Sequence, residues 1–363
     1  VWDDLTRKMG YWVDLEHPYI TYENEYIESV WYLLKRLYDK GLMYKGYTIQ
    51  PYSPAAGTGL SSHELNMPGT YKEVSDTTVV AMFRIQKDAK SAFLFDVENE
   101  DIRILAWTTT PWTLPSNTAL TVGGKIEYVK IKTNNPYTHE PVSVVLADVL
   151  VNNWFTTDPE KQKNKPVILE KSEPFAGSKL EGICYEQLLP FGNPIEELNG
   201  STDAFRVLVG DFVTTEDGTG VVHTAPSFGG DDMKVARANG IGALTLVDKQ
   251  GKFKENVGEF SNRYVKDYKD ASDYVSVDVD IAVHLKQTGK AFNVQKYVHN
   301  YPHCWRTDKP VLYYPLDSWF IRASQVKERM YELNKTINWK PASTGEGRFG
   351  KWLENLQDWN LSR

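Results

Sequence analysis

Near its start the chain carries a helical pattern. Between Thr21 and Lys40 the apolar positions Tyr26, Ile27, Val30, Trp31, Leu34, Leu37 and Tyr38 recur at spacings of three and four. That spacing predicts an amphipathic helix capped by Thr21, stopped by Gly41 and packed along its apolar face. YSPAAGTGLSSHEL (52–65) reads as a small-residue turn region. From about Thr77 the period shortens. TTVVAMFRI, SAFLFDV, RILAWTT, EYVKIKT, KPVILEK, FRVLVGDFVT, TGVVHTA and ALTLVD are predicted strands, rich in β-branched and aromatic residues and separated by turn formers. The polar stretches 133–141 and 156–166 read as exposed loops. Short helices are predicted from Asp231–Asp232 to Gly240, over about 279–288, and over about 323–334.

These elements divide the chain into an N-terminal connecting segment (1–75), a β-rich core (76–270) and a C-terminal connecting segment (271–363). So many strands without a helix after each favour a β-rich α+β fold, as a barrel or sandwich, over a doubly wound sheet. The middle block reads as an insertion whose flanks meet in space.

Composition narrows the function classes. The 363 residues carry 41 Lys+Arg against 48 Asp+Glu, a net charge of −7, which argues against a generic polyanion-binding surface but leaves room for a local nucleic-acid groove. Cys184 and Cys304 lie too far apart for a CxxC knuckle and are too few for a disulfide scaffold. No apolar run has the roughly 18 residues of a membrane span. The aromatic content of 13% excludes intrinsic disorder.

Familiar catalytic signatures are missing. The sequence has no GxSxG elbow and no HExxH, and GTGLSS and DGTGVV lack the Gly-Lys-Ser/Thr end of a phosphate loop. His299, His303 and Cys304 are close together, without an obvious fourth metal ligand. Two segments hold more promise. In AWTTTPWTLPSNTAL (106–120), three adjacent hydroxyls and an amide are stiffened by prolines. They can line a pocket that holds a ribose, a water or an ester carbonyl, or they can simply end a strand in a type I turn. In DGTGVVHTAPSFGGDD (217–232), His223 ends a strand and Asp231 and Asp232 start a helix. One carboxylate is explained as a helix cap; the second is left to bind an ammonium group, and either it or the histidine can do acid–base work.

Together, AWTTTPWTLPSNTAL and GTGVVHTAPSFGGDD resemble the two signatures of the editing domain of isoleucyl-tRNA synthetases. The valyl and leucyl enzymes follow their threonine-rich strand with Arg-Pro, whereas Thr110-Pro111-Trp112 stands here. GYWVDLEHPYITYENEYIESVWYLLKRLYDKGLMYKG, YPHCWRTDKPVLYYPLDSWFI and GRFGKWLENLQDWNLSR extend the resemblance over nearly the whole chain. The family's ATP-binding HIGH and KMSKS signatures are absent, so the chain is expected to be the editing insertion with its flanks and not to activate an amino acid. Many bacterial members carry cysteine pairs where this chain reads Pro54-Ala55-Ala56 and His303-Cys304-Trp305-Arg306-Thr307. No zinc site is therefore expected, and the sequence looks closest to the cytoplasmic eukaryotic form.

The resemblance implies a closed, barrel-like editing domain with peripheral helices and helical connecting flanks. It implies post-transfer hydrolysis of the ester of valyl-tRNA(Ile), with isoleucyl-tRNA(Ile) rejected. Asp232 matches the carboxylate that anchors the α-ammonium, and His223 the wall that rejects isoleucine. Thr108, Thr109 and Thr110 match the strand that meets the ester, ribose and water. Trp112 and Asn117 match pocket and adenosine-side positions, and Asp231 reads as a cap. The implied partners are the valine-bearing tRNA acceptor end and the rest of the synthetase, in the cytoplasm and away from membranes. No cofactor is implied for editing; ATP and Mg²⁺ would serve only the synthetic domain.

Overall fold

Alternate strand residues enter two different apolar layers. The computed structural model describes residues 1–157, 165–192, 203–269 and 274–361. In β1 (Tyr71–Arg84), Val79, Ala81 and Phe83 join one core, while Val80 and Met82 join another. In β2 (Ile102–Thr108), Ile102, Ile104 and Ala106 are divided from Leu105 in the same way. The period of two and burial on both faces explain why these segments are nearly continuous apolar runs. Each of the larger of these side chains contributes about 1.5–3 kcal/mol when fully buried, so the sheet is a firm scaffold for what its strand ends carry.

Six further strands make up most of the rest of this ten-stranded sheet: β3 (Ala119–Val122), β4 (Glu127–Asn134), β5 (Pro141–Ala147), β6 (Arg206–Val209), β7 (Val221–Thr224) and β8 (Ala291–Pro302); two short strands, Glu170–Lys171 and Phe175–Ala176, pair with β4. Their order is β6–β3–β7–β2–β5–β4, with β1 on the other edge of β2 and β8 antiparallel to β1. Among the described residues no sheet closes into a barrel, which corrects the expectation of a closed one. The reason lies in β2. One of its edges pairs with β1, and the other is shared between β5 at Ile102–Ile104 and β7 at Trp107. The sheet therefore forks at β2 instead of curling round to join its ends.

Several local expectations also change. SAFLFDV forms a 3₁₀ turn at Ala92–Leu94, because Asp88 Oδ1 accepts the Lys90 and Ser91 amides and turns the chain there. ALTLVD is buried but makes only an isolated bridge, Val247 to Phe253. β3, β5, β8 and the strand Met43–Ser53 were not among the expected strands. The long β1–β8 pairing runs from Tyr71–Pro302 to Ala81–Ala291, across the sequence boundaries at 75/76 and 270/271. Part of the expected loop 156–166 lies outside the described residues. The three later helices form at Gly230–Ala238, Val277–Gln287 and Lys327–Asn334, the last after a 3₁₀ turn.

The chain resolves into two compact units, Thr48–Leu316 and Val1–Tyr47 with Asp317–Arg363. The second contains the helix Asn24–Asp39, whose N-cap is Glu23 and not the expected Thr21, and which precedes Gly41 at φ +68°. No residue of that helix is buried, so its apolar face is not packed as the periodicity predicts; Trp31 remains 66% exposed. Among the described residues no helix is long and apolar enough to cross a membrane.

Candidate active site

The threonine-rich segment leaves the sheet at the end of β2 and enters a 3₁₀ turn, Pro111–Ser116. The buried Asp278 holds this turn: its Oδ1 accepts the Trp112 amide at 2.8 Å. Asp278 pairs in turn with Lys266 Nζ at 3.1 Å, and Lys266 with Asp76 at 3.0 Å. A buried charge with this many partners fixes a backbone position well. Next to β2, β7 brings up His223. The chain then turns at Ala225–Pro226 and enters the helix Gly230–Ala238, with Asp231 and Asp232 in its first turn. Before β7, Gly218 and Gly220 take φ of +76° and +74°. A Cβ at Gly220 would lie 2.4 Å from that of Ala147, so the DGTG stretch needs glycine for close packing against β5.

These elements enclose a pocket of about 340 Å³, lined among others by Thr108, Thr109, Thr110, Thr113, His223, Phe228 and Asp232. A larger hollow of about 680 Å³, between Tyr137, Trp154 and Phe292, holds none of the residues singled out from the sequence. Of those residues, the smaller pocket gathers Thr108, Thr109, Thr110, His223 and Asp232. Trp112 and Asn117 sit behind its walls. Trp112 is buried and packs edge-on against Phe228, with centroids 4.9 Å apart. Asn117 is 2% exposed and its amide is fully engaged within the protein. Asp231 is exposed at the helix start.

The threonines differ in availability. Thr108 Oγ1 accepts the Thr110 amide at 3.1 Å and lies 3.3 Å from Thr110 Oγ1. Thr109 lines the pocket with no hydrogen bond from its hydroxyl to the described residues. Asp232 Oδ2 accepts the Ala225 amide at 2.9 Å, which aims the carboxylate across the turn. Burial raises its carboxyl to about 6, helped by the neighbouring Asp231 charge and opposed by that hydrogen bond. Burial lowers the His223 imidazole to about 4, so the ring is neutral at pH 7. The pocket therefore offers the carboxylates of Asp232 and Asp217, a row of hydroxyls and an uncharged wall. Among the described residues no three His, Cys, Asp or Glu side chains converge as metal ligands. Cys304 is buried with Leu60, Leu65 and Val311, and His299 Nε2 is bonded to Asp76.

The profile of the class I tRNA synthetases (I, L, M and V) matches residues 1–363, the whole chain. The chain belongs to the class I tRNA synthetases. Within the family it is 55% identical to the isoleucine–tRNA ligase of Cytophaga hutchinsonii and 54% identical to that of Bacteroides fragilis, in each case over the whole of this chain and 34% of the relative. With the ligase of Clostridium tetani the identity is 42%, over 31% of that protein. The chain thus spans about a third of the length of these relatives. All three are bacterial, so the expected likeness to the cytoplasmic eukaryotic form is not supported. Two solved structures align with lower scores. "GlLeuRS-CP1" aligns at 15% identity and a TM-score of 0.42, over 61% of this chain and 99% of that one. The editing domain of the Plasmodium knowlesi cytosolic leucyl-tRNA synthetase aligns at 10% and 0.41, over 64% and 99%.

Thr113, Phe228, Tyr185 and Gly229 stand in or behind the pocket although no sequence motif marks them. Thr113 was in view inside the TTTPWT run, but nothing in one sequence shows that its hydroxyl meets His223. Gly229 shows in sequence only as the first of two successive glycines before the predicted helix. A Cβ there would lie 2.8 Å from Asp232 Oδ2, so the glycine leaves room for the carboxylate. Gly229→Ala is expected to displace the Asp232 side chain while its backbone, at φ −140°, tolerates alanine. Binding of a ligand's ammonium group should weaken at least tenfold, with the thermal midpoint within a few degrees of wild type. Titration calorimetry and melting of the same samples check both halves.

Proposed function

We propose that this chain carries out post-transfer editing for an isoleucine-specific synthetase. It hydrolyses the ester of valyl-tRNA(Ile) and spares isoleucyl-tRNA(Ile). The observation that carries this reading is the pairing, across one small pocket, of a partly buried carboxylate at Asp232 with a neutral histidine wall at His223, above the hydroxyls of Thr108–Thr110. The need for such a site is energetic. One methylene is worth only about 1–3 kcal/mol in binding, a range for which isoleucine against valine is itself the reference case, so a second, hydrolytic selection has to act on the product.

In this reading Asp232 binds the α-ammonium through a charge-assisted hydrogen bond, which fixes the amino acid against the wall. The His223 side admits valine and collides with the longer branch of isoleucine. Thr109, with its free hydroxyl, and Thr110 orient the ester and a water; Thr108 holds Thr110 in place. The water oxygen adds to the ester carbonyl, the acyl–oxygen bond breaks, and the water's proton passes to the departing ribose oxygen. No side chain here is an evident general base: His223 has both nitrogens engaged and Asp232 is committed to the ammonium. Orientation and hydroxyl stabilisation of the oxyanion supply the rate, assisted by the free ribose hydroxyl. The partners are the acceptor end of tRNA(Ile) and the remainder of the synthetase, in the cytoplasm where tRNA is charged. ATP and Mg²⁺ belong to the synthetic domain.

The test is to incubate the chain with tRNA(Ile) charged with valine or with isoleucine and follow release of each. Valine release well above the spontaneous rate, with isoleucine retained, is the expected result. Binding without release would make this a passive acceptor-end module, and equal release of both would remove the proposed selectivity.

A further inference from the structure

His223 is held from both sides by groups that do not touch the pocket's contents in the same way, and the direction of each hydrogen bond can be assigned. Thr113 Oγ1 lies 2.8 Å from the Thr110 carbonyl oxygen and 2.8 Å from His223 Nε2. A hydroxyl has one proton, which goes to the carbonyl because a carbonyl can only accept. His223 Nε2 must then carry a proton and donate it to Thr113. On the other side of the ring, Asn117 Nδ2 lies 2.7 Å from the Ala119 carbonyl and 3.1 Å from His223 Nδ1. The amide cannot be turned over, since its oxygen would then face the Ala119 carbonyl. Nδ2 therefore donates to Nδ1, which agrees with the tautomer required by Thr113.

The amide is fixed in turn by Tyr185. This residue is 1% exposed, and its hydroxyl donates to Asn117 Oδ1 at 2.6 Å. Its ring is clamped edge-on by Phe83 and Phe205, with centroids 5.4 and 6.1 Å away. Its amide donates to the Phe205 carbonyl at 2.9 Å. The result is a one-way chain of donors: Tyr185 to Asn117, Asn117 to His223, His223 to Thr113, and Thr113 to the Thr110 carbonyl. It begins in the first apolar core and ends in the backbone of the threonine segment.

We propose that Tyr185 is a positioning residue that, through Asn117, sets the tautomer and rotation of His223 and so the sharpness with which the pocket rejects the longer side chain. This rests on the editing function proposed above. The cut between valine and isoleucine turns on the depth of one methylene, so a wall that can rotate cannot make it. A histidine with one nitrogen unsatisfied has several low-energy orientations, whereas one with both satisfied in a defined sense has a single one. Asn117 thus acts through His223, which explains why it lies behind the wall.

Tyr185→Phe removes one hydroxyl and leaves the ring packing. The readout is the ratio of kcat/KM for valyl-tRNA(Ile) to that for isoleucyl-tRNA(Ile), with the thermal midpoint measured alongside. The ratio is expected to fall about tenfold, mostly because the isoleucyl ester becomes a substrate. Should Tyr185→Phe fail to fold, Thr113→Val frees the opposite nitrogen from the pocket side and is expected to lower the ratio likewise. A ratio within twofold of wild type in a folded variant overturns the proposal. A second readout needs no activity. In ¹⁵N-histidine spectra, with His223 assigned from its loss in His223→Gln, the wild-type ring should show the Nε2–H tautomer alone. Tyr185→Phe should shift or broaden its Nδ1 signal. A wild-type Nδ1–H tautomer, or an Nδ1 signal unmoved by Tyr185→Phe, contradicts the relay. A wild-type chain that shows the expected tautomer yet releases no valine would refute the editing function and leave the relay standing.

Discussion

Asp232→Ala is expected to lower kcat/KM for valyl-ester hydrolysis by about 100- to 1,000-fold. Removing one member of a buried, hydrogen-bonded charge pair costs about 2–5 kcal/mol, and the ammonium of the substrate would lose the carboxylate that anchors it in the proposed reading. The fold should survive and should even gain. Burial raises the Asp232 carboxyl from 3.8 to about 6. A carboxyl raised in the folded state imposes no penalty below pH 4, where both states are protonated. It destabilises progressively between about 4 and 6 and fully above that. Asp232→Asn, which keeps the acceptor for the Ala225 amide, should therefore be more stable than wild type at pH 7.5 by on the order of 2 kcal/mol, and no more stable at pH 3.5. The same ionisation should appear in catalysis. In wild type, kcat/KM should rise with pH about a midpoint near 6, since the anchor must be ionised to hold the ammonium. Denaturant melts at the two pH values and a rate profile from pH 5 to 7.5 check these points. Near-normal hydrolysis by a folded Asp232→Ala protein would mean that the amino group is held elsewhere.

His223→Ala is expected to turn the cognate ester into a substrate. Removing the imidazole opens the wall where isoleucine's extra methylene would collide. Release of isoleucine from isoleucyl-tRNA(Ile) should rise from the spontaneous rate to within about tenfold of valine release; an added methylene that merely fits is worth only about 1–3 kcal/mol. The substitution also leaves the acceptor side of Thr113 unsatisfied, at about 1–3 kcal/mol for a buried group, and leaves the inner amide hydrogen of Asn117 only its 3.4 Å contact to the Thr224 carbonyl. Its thermal midpoint should accordingly fall. The acid behaviour gives an internal control. His223 is lowered to about 4 against an ordinary 6.5, so the unfolded chain takes up its proton first as the pH drops. Wild-type stability should decline from about pH 6.5 towards 4 through this group, and the alanine variant should lack that component. Continued resistance of isoleucyl-tRNA in a folded variant would move the specificity wall to another residue.

The sequence was most informative where chemistry is carried by residue type within a short run. The hydroxyl row at 108–110, His223 and Asp232 stand out as polar groups at strand and helix ends, and the fold brings these five into one pocket. Less legible was anything set by distant pairing. β5 and β8 are uniformly apolar or mixed runs whose strand character depends on neighbours more than a hundred residues away for β8. The forked sheet follows from β2 sharing one edge between two partners, a property with no local signature. Trp112 and Asn117 show the same limit: a residue type suited to a pocket can equally stand behind its wall. The unpacked helix Asn24–Asp39 shows that periodicity reports an apolar face but not what meets it.

The central claim is that one pocket recognises a valyl group on adenosine and excludes an isoleucyl group. It is tested most directly without tRNA, using adenosine with valine or isoleucine joined to the ribose through a non-hydrolysable amide. Calorimetry of the chain with the two compounds should show the valyl compound binding at least tenfold more tightly. Equal affinities, or tighter binding of the isoleucyl compound, would contradict the account.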